Sequence, residues 1–285
     1  MKEIFDGVVT RDNLEYEPSL PPPYQDMDYQ LLPAHTSTPS ASLYYRRFPS
    51  TMTIKACWSR NFTICDSISN EAIYLAKFHP FGLYCTKPLG ARAGFILHNG
   101  VSSNDVVLAA AGDITVFEQR ANPFSNKSHI LLPPLPKNDK TQASQQPTVM
   151  ETMTGKLVAE KGTVFRFSVE TGRAMQRQNF EWRRFARDDS WELVRYSSSS
   201  RKVLPKGEIV AILSWAPVLL ASAFDPFNAQ AVGTLQLLNS LESYALGERC
   251  TLAVVISALR LWHLRIRGKD TQAYIKFGEW LFNKK

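Results

Sequence analysis

Cysteine is scarce in this chain of 285 residues: Cys57, Cys65, Cys85 and Cys250 are the full set, and no two form a CxxC pair. A zinc knuckle or a thioredoxin-type redox motif therefore has no support, and idle or buried thiols in a reducing, cytoplasmic setting are the expectation. The five histidines (His35, His79, His98, His129, His263) are equally scattered. None forms the HExxH or H-x-x-x-H spacing that sets two ligands on one helical face, so no metal is expected. Neither a GxSxG elbow nor a GxxxxGK[ST] loop occurs, which leaves no hydrolase nucleophile, no phosphate-cradling loop and no expected cofactor. The longest apolar run, Cys250 to Leu259, has ten residues between Arg249 and Arg260. That is short of the ~20 needed to span a bilayer. The opening MKEIFDGVV lacks a cationic stretch leading into an apolar signal core and has Lys2 where myristoylation needs glycine, so neither secretion nor acylation is expected.

What the chain does have is charge of one sign, unevenly placed. The net charge is +7, yet residues 1–42 hold only Lys2 and Arg11 against seven acids, leaving +12 on residues 43–285. Such a body favours acidic partners, anionic lipid or nucleic acid, and says nothing of the fold. Residues 1–42 are also rich in Pro, Ser, Asp and Glu with little apolar periodicity, and are expected to form a disordered tail. Within them Pro21-Pro22-Pro23-Tyr24 is a PPxY sequence. Prolines favour the extended polyproline helix and a tyrosine ring fills an aromatic-lined groove, so Pro21, Pro22 and Tyr24 are the candidate ligand for a WW domain such as that of a ubiquitin ligase.

From Thr51 the apolar period becomes two: Met52, Ile54, Ala56 and Trp58 alternate with polar neighbours, as a strand with one buried face requires. The pattern recurs over 61–66, 72–79, 81–87, 93–98, 105–110, 113–119, 148–154, 163–170, 178–185, 190–196, 208–214 and 232–238. Short strands without crossover helices argue for an antiparallel barrel or sandwich. Residues 133–147 and the stretches around Ser197–Ser200 and Pro205-Lys206-Gly207 read as loops. One segment breaks the period: residues 248–266 are apolar on every side through the middle, as a helix enclosed by a barrel would be. Residues 269–285 form a short basic amphipathic segment expected to pack on the barrel, with a membrane surface as the alternative.

FEWRRF (Phe180 to Phe185), WELVRY (Trp191 to Tyr196), GEIVAILSW (Gly207 to Trp215) and LGERCTLAVVISALRLW (Leu246 to Trp262), in that order, resemble the tubby C-terminal-like superfamily in its fungal branch. That superfamily also includes the LURP-one-related proteins and the phospholipid scramblases. The resemblance spans residues 43–268 and implies a mainly β fold: a closed antiparallel barrel of about twelve strands around a buried hydrophobic C-terminal helix. It carries no catalytic signature. Tubby's phosphoinositide-contacting basic residues find no matching positions here, and no Asp-rich loop of EF-hand spacing accompanies the scramblase alternative.

The one constellation with chemical content is basic. Residues 172–206 hold nine Lys or Arg against four acids. Arg173, Arg177, Arg183, Arg187, Arg201, Lys202 and Lys206 are the candidate lipid-binding set, since phosphorylated head groups need dense donors. Strand parity places Phe180, Trp182 and Arg184 on one face, so inward aromatics would leave Arg183 outside and Arg184 internal and paired. The bland alternative is that these charges solvate the outer wall. The expectation is thus a non-enzymatic cytoplasmic adaptor, peripheral at a membrane, that binds anionic phospholipid and a WW-domain protein. A scramblase-like lipid translocator and a basic nucleic-acid binder are the alternatives, the latter without a recognised motif.

Overall fold

Alternating apolar residues need a second apolar layer, and a sheet that curls on itself supplies one while leaving no exposed edge. A computed structural model describes residues 46–56, 61–82, 88–115, 118, 124–134, 149–185, 190–196, 207–216 and 230–283. The chain divides into two units, Met1–Ser42 and Leu43–Lys285, and every described residue belongs to the second. The tail and its PPxY sequence lie outside the described residues.

The second unit is a closed barrel of twelve antiparallel strands, each hydrogen-bonded to its neighbours in sequence, with the last returning to the first. In chain order they are β1 (Thr51–Ala56), β2 (Phe62–Asp66), β3 (Ala72–His79), β4 (Gly94–His98), β5 (Val107–Asp113), β6 (Lys127–Leu132), β7 (Val149–Val158), β8 (Gly162–Thr171), β9 (Gln176–Arg184), β10 (Ser190–Tyr196), β11 (Glu208–Trp215) and β12 (Gln230–Leu237). Two expectations need correction. Of the strand expected at 113–119, Asp113 ends β5 and Ile114, Thr115 and Glu118 are not in a strand; the partner that β5 requires is β6, which the sequence pattern missed. KSHILL gives no alternation because five consecutive residues of β6 are buried, the outward ones beneath the segment that carries Leu89. The strand expected at 81–87 falls mostly outside the described residues, and Phe81 and Gly82 are not in a strand.

After β12 come the short helix α1 (Asn239–Glu242), the long helix α2 (Glu248–Ile266) and a final helix α3 (Gln272–Asn283). Every residue from Cys250 to Leu261 is buried. Strands from all round the sheet reach α2: Trp262 meets Phe62 of β2 edge-on at 4.5 Å, and on β9 the Trp182 indole N–H donates to Ser257 Oγ at 3.0 Å. The helix is therefore enclosed by the barrel. Its closest wall is β5, where inward Ala109 and Ala111 leave room for a helix backbone. Gly94 of β4 lets that wall close, since a Cβ there would sit 2.0 Å from the Ala111 carbonyl oxygen. Phe165, Phe167, Phe180, Trp182 and Trp191 fill the opposite side, each contributing about 2–3 kcal/mol through burial. Among the described residues no helix is long and apolar enough to cross a membrane.

The helix starts at the mouth formed by the β2–β3, β4–β5 and β8–β9 turns, where Gly172 N–H donates to the Leu246 carbonyl at 2.9 Å. It leaves at the mouth formed by the β3–β4, β5–β6, β7–β8 and β9–β10 connections. These are called below the entry and exit mouths. Helix α3 packs against β7 and β8 at the exit mouth, with Ile275 fully buried in the main core against Gly155 and Glu279 Oε1 accepting from Leu157 N–H at 3.2 Å.

Candidate functional site

The antiparallel hairpin of β8 and β9 sets outward side chains in facing pairs: Glu170 with Arg177, Ser168 with Asn179, and Arg166 with Glu181. Each pair is complementary. Arg177 donates through NH1 to Glu170 Oε1 at 2.6 Å and Glu151 Oε1 at 3.0 Å, and through NH2 to Glu151 Oε2. Ser168 Oγ donates to Asn179 Oδ1 at 2.6 Å. Arg249, from the first turn of α2, adds its Nε to Glu170 Oε2 at 3.3 Å. Arg177 thus ties three strands together, and its charge is met by two carboxylates on β7 and β8. Counting cations within residues 172–206 could not reveal this, because Glu151 and Glu170 lie outside that window.

The third pair is different in kind. The Glu181 carboxylate, 1% exposed, accepts from Arg166 Nε at 2.5 Å, from Arg183 Nε, and from Lys161 Nζ of the β7–β8 turn at 3.4 Å. Burial would push this carboxyl up, but the hydrogen bonds from Arg183 and Arg166 outweigh it and hold it below its ordinary value. Three cations therefore share one anion. Both guanidiniums use Nε, the inner corner of the fork, and among the described residues their terminal nitrogens have no acceptor. Their side chains are 37% and 27% exposed, and that of Lys161 31%. Tyr196 stands beside them with its hydroxyl pKa raised by burial. An incoming phosphate would meet two pre-oriented guanidinium edges and an ammonium with a net surplus of +2.

The expected lipid-binding set does not form one patch. Arg173 is exposed in the β8–β9 turn at the entry mouth, whereas Arg183 is near the exit mouth. Along β9 that is a separation of roughly 25 Å. Residues adjacent in sequence are placed at opposite ends because the strand between them crosses the whole barrel. Arg187, Arg201, Lys202 and Lys206 lie outside the described residues. Phe180 and Trp182 do face inward, but Arg184 is not internal: it closes β9 at the barrel rim and is exposed. Arg166 and Lys161 escaped sequence reading for the reason that hid Glu170, since only the strand register brings them to Glu181.

A second charged cluster is inside. Arg260 of α2, 1% exposed, donates through NH2 to Asp113 Oδ1, through Nε to Ser128 Oγ at 2.9 Å and through NH1 to His263 Nδ1 at 2.7 Å. Arg267 NH1 donates to Asp113 Oδ2 at 2.8 Å. Burial opposes ionisation of Asp113, yet the two arginines hold its carboxyl far below the usual range. His263 is pushed down to about 3 by burial and by Arg260, so it is neutral, with Nδ1 the acceptor. The Arg260 guanidinium, both Asp113 oxygens, Ser128 Oγ and His263 Nδ1 all have partners within the protein, as a structural pin requires. Cys250 is likewise buried, and burial raises its thiol pKa, so the thiolate nucleophile is suppressed.

No family model matches this chain, and neither does any curated protein or solved structure.

Proposed function

We propose that this chain is a non-enzymatic binding module of the tubby-like type that attaches peripherally to anionic phospholipid from the cytoplasm. The observation that carries the reading is the sharing of one buried carboxylate, Glu181, by Lys161, Arg166 and Arg183, with the terminal guanidinium nitrogens left for an outside anion. A phosphate-bearing head group is the matching ligand: Arg forks are shaped for phosphate oxygens, and their desolvation is already partly met by Glu181. The twelve-stranded barrel with an enclosed helix supports the kinship, since this is the architecture the resemblance implies. The tail complements the barrel by offering Pro21, Pro22 and Tyr24 to a WW-domain protein, a ubiquitin ligase being the natural candidate.

The test is sedimentation of the full chain with vesicles of phosphatidylcholine alone, with phosphatidylserine, and with a phosphoinositide. A nucleic-acid mobility shift at the same salt runs beside it. Binding should rise with acidic lipid and fall with salt. The Lys161→Gln/Arg183→Gln variant should bind at least about tenfold more weakly, each cation near the surface contributing about 1 kcal/mol. Equal sedimentation of variant and wild type would remove the site, and a shift of nucleic acid without vesicle binding would replace lipid by nucleic acid.

A further inference from the structure

The two mouths of the barrel differ in the apolar side chains that they expose. At the entry mouth the exposed large hydrophobic residues are aliphatic: Ile68, Val101, Val106, Val107 and Met150. At the exit mouth, among the described residues, stand all four exposed aromatics together with Ile266. Phe81 follows β3 and is 60% exposed, Phe185 follows β9 and is 46% exposed, and Phe277 and Trp280 of α3 are 45% and 49% exposed. The last two are fixed in place: their rings stack at 5.9 Å, and Phe277 meets Phe124 of the β5–β6 connection edge-on at 4.8 Å. Helix α3 cannot rotate them inward, because its opposite face is held by buried Ile275 and by Gly278, where a Cβ would sit 2.7 Å from the Phe124 carbonyl oxygen. Large exposed apolar groups of this kind on a soluble barrel mark a contact surface.

The surrounding charge selects the partner. Among residues 265–283 the basic ones are Arg265, Arg267, Lys269 and Lys276, with Arg267 paired to Asp113, and the acids are Asp270 and Glu279. Asp270 is buried, and Glu279 is turned to the Leu157 N–H. The Glu181 cluster lies on the wall toward this same end, since Lys161 belongs to the β7–β8 turn and the adjoining Gly162 lies against Gln272 of α3. Exposed aromatic rings at an end that also carries cations match the boundary of an anionic bilayer, where Trp and Phe settle at headgroup depth while Lys and Arg hold acidic lipid.

We infer that the exit mouth is the membrane-facing end of the molecule, with Phe277 and Trp280 entering the headgroup and acyl boundary while the Glu181 cluster holds a lipid phosphate beside them. This rests on the lipid reading above and adds to it the orientation of the barrel and an insertion site on α3. The entry mouth, and Arg173 with it, points away from the bilayer.

The experiment uses the full chain on phosphatidylcholine vesicles with and without phosphatidylserine, prepared with and without bromine on the acyl chains. Bromine should quench part of the tryptophan emission of wild type on the acidic vesicles. Trp280→Phe should bind a fewfold more weakly and, at lipid concentrations that saturate it, lose that quenching. Phe277→Ala/Trp280→Ala should bind about tenfold more weakly with an unchanged melting temperature, since both rings lie outside the core. Bound wild type whose emission ignores bromine would overturn the inference while leaving the lipid reading intact. Loss of binding in the Lys161→Gln/Arg183→Gln variant alone, with the aromatic variant unaffected, would do the same. Loss in the aromatic variant alone would keep the insertion site and remove the phosphate site. Wild type that ignores acidic vesicles would overturn both. A dimer in solution that Phe277→Ala/Trp280→Ala dissociates would assign the aromatic surface to a second copy of the chain and overturn the inference.

Discussion

Arg260 and Asp113 meet inside the barrel across 147 positions of sequence, the guanidinium donating to Asp113 Oδ1 while Arg267 takes the other carboxylate oxygen. The pair fixes the helix against β5 in rotation and in depth. Apolar residues surround α2 on every side and would tolerate sliding by a turn, whereas a buried charge tolerates only its partner. Asp113→Asn should therefore destabilise the protein by about 3–5 kcal/mol, because it leaves Arg260 charged without a counter-ion. Arg260→Met with Asp113→Val should recover most of that loss. Urea unfolding of Asp113→Val, of Arg260→Met and of the double variant measures the coupling.

Acid should weaken the fold through His263. Its folded pKa is depressed to about 3 against an ordinary value of 6.5, so between these limits the unfolded chain binds a proton that the folded chain refuses. Stability is full above pH 6.5 and falls as pH drops toward 3, by up to about 1.4 kcal/mol per pH unit for this one group. His129, also depressed by burial, acts in the same direction. His263→Gln, which stays neutral, should make the dependence shallower over that window when unfolding is followed at several pH values.

Ser257 should matter more than a small hydroxyl usually does. It accepts from the Trp182 indole at 3.0 Å and donates to the Val254 carbonyl at 2.9 Å, with all three residues buried. Ser257→Ala leaves the indole N–H without an acceptor and should cost about 1–3 kcal/mol in thermal or chemical melts. Ile256→Asp, placing an unpaired charge beside it, should prevent folding.

Glu181→Gln separates the two roles of the cation cluster. It removes one negative charge from among Lys161, Arg166 and Arg183, which should lower stability by about 1–3 kcal/mol. The same change should raise affinity for acidic vesicles severalfold, as one more unit of positive charge is worth about 1 kcal/mol there. A titration in which stability falls but vesicle affinity does not rise would count against the lipid reading.

Tyr24→Ala should abolish binding to a WW-domain panel while leaving the melting temperature unchanged, because the ring is the anchor of the PPxY ligand. Removal of residues 1–42 should behave identically in both measurements. A large drop in melting temperature on that removal would mean that the tail packs on the barrel.

The period-two pattern and the one all-round apolar segment were enough to define an antiparallel barrel or sandwich and a buried helix, because burial of a strand face or of a whole helix is written into local spacing. β6 was illegible for the converse reason, both of its faces being covered. The sequence also determined that the chain beyond residue 42 is basic and that Phe180 and Trp182 share one face, parity being a local property. Which cations act together was decided only by the tertiary structure. Strand register brings Arg166 and Lys161 to Glu181, turns Arg177 toward Glu151 and Glu170, and sends Arg173 and Arg183 to opposite mouths. Charge acts through space over a few ångströms, while a strand of nine residues carries its ends some 25 Å apart, so adjacency in the chain could name the basic residues but not their partners.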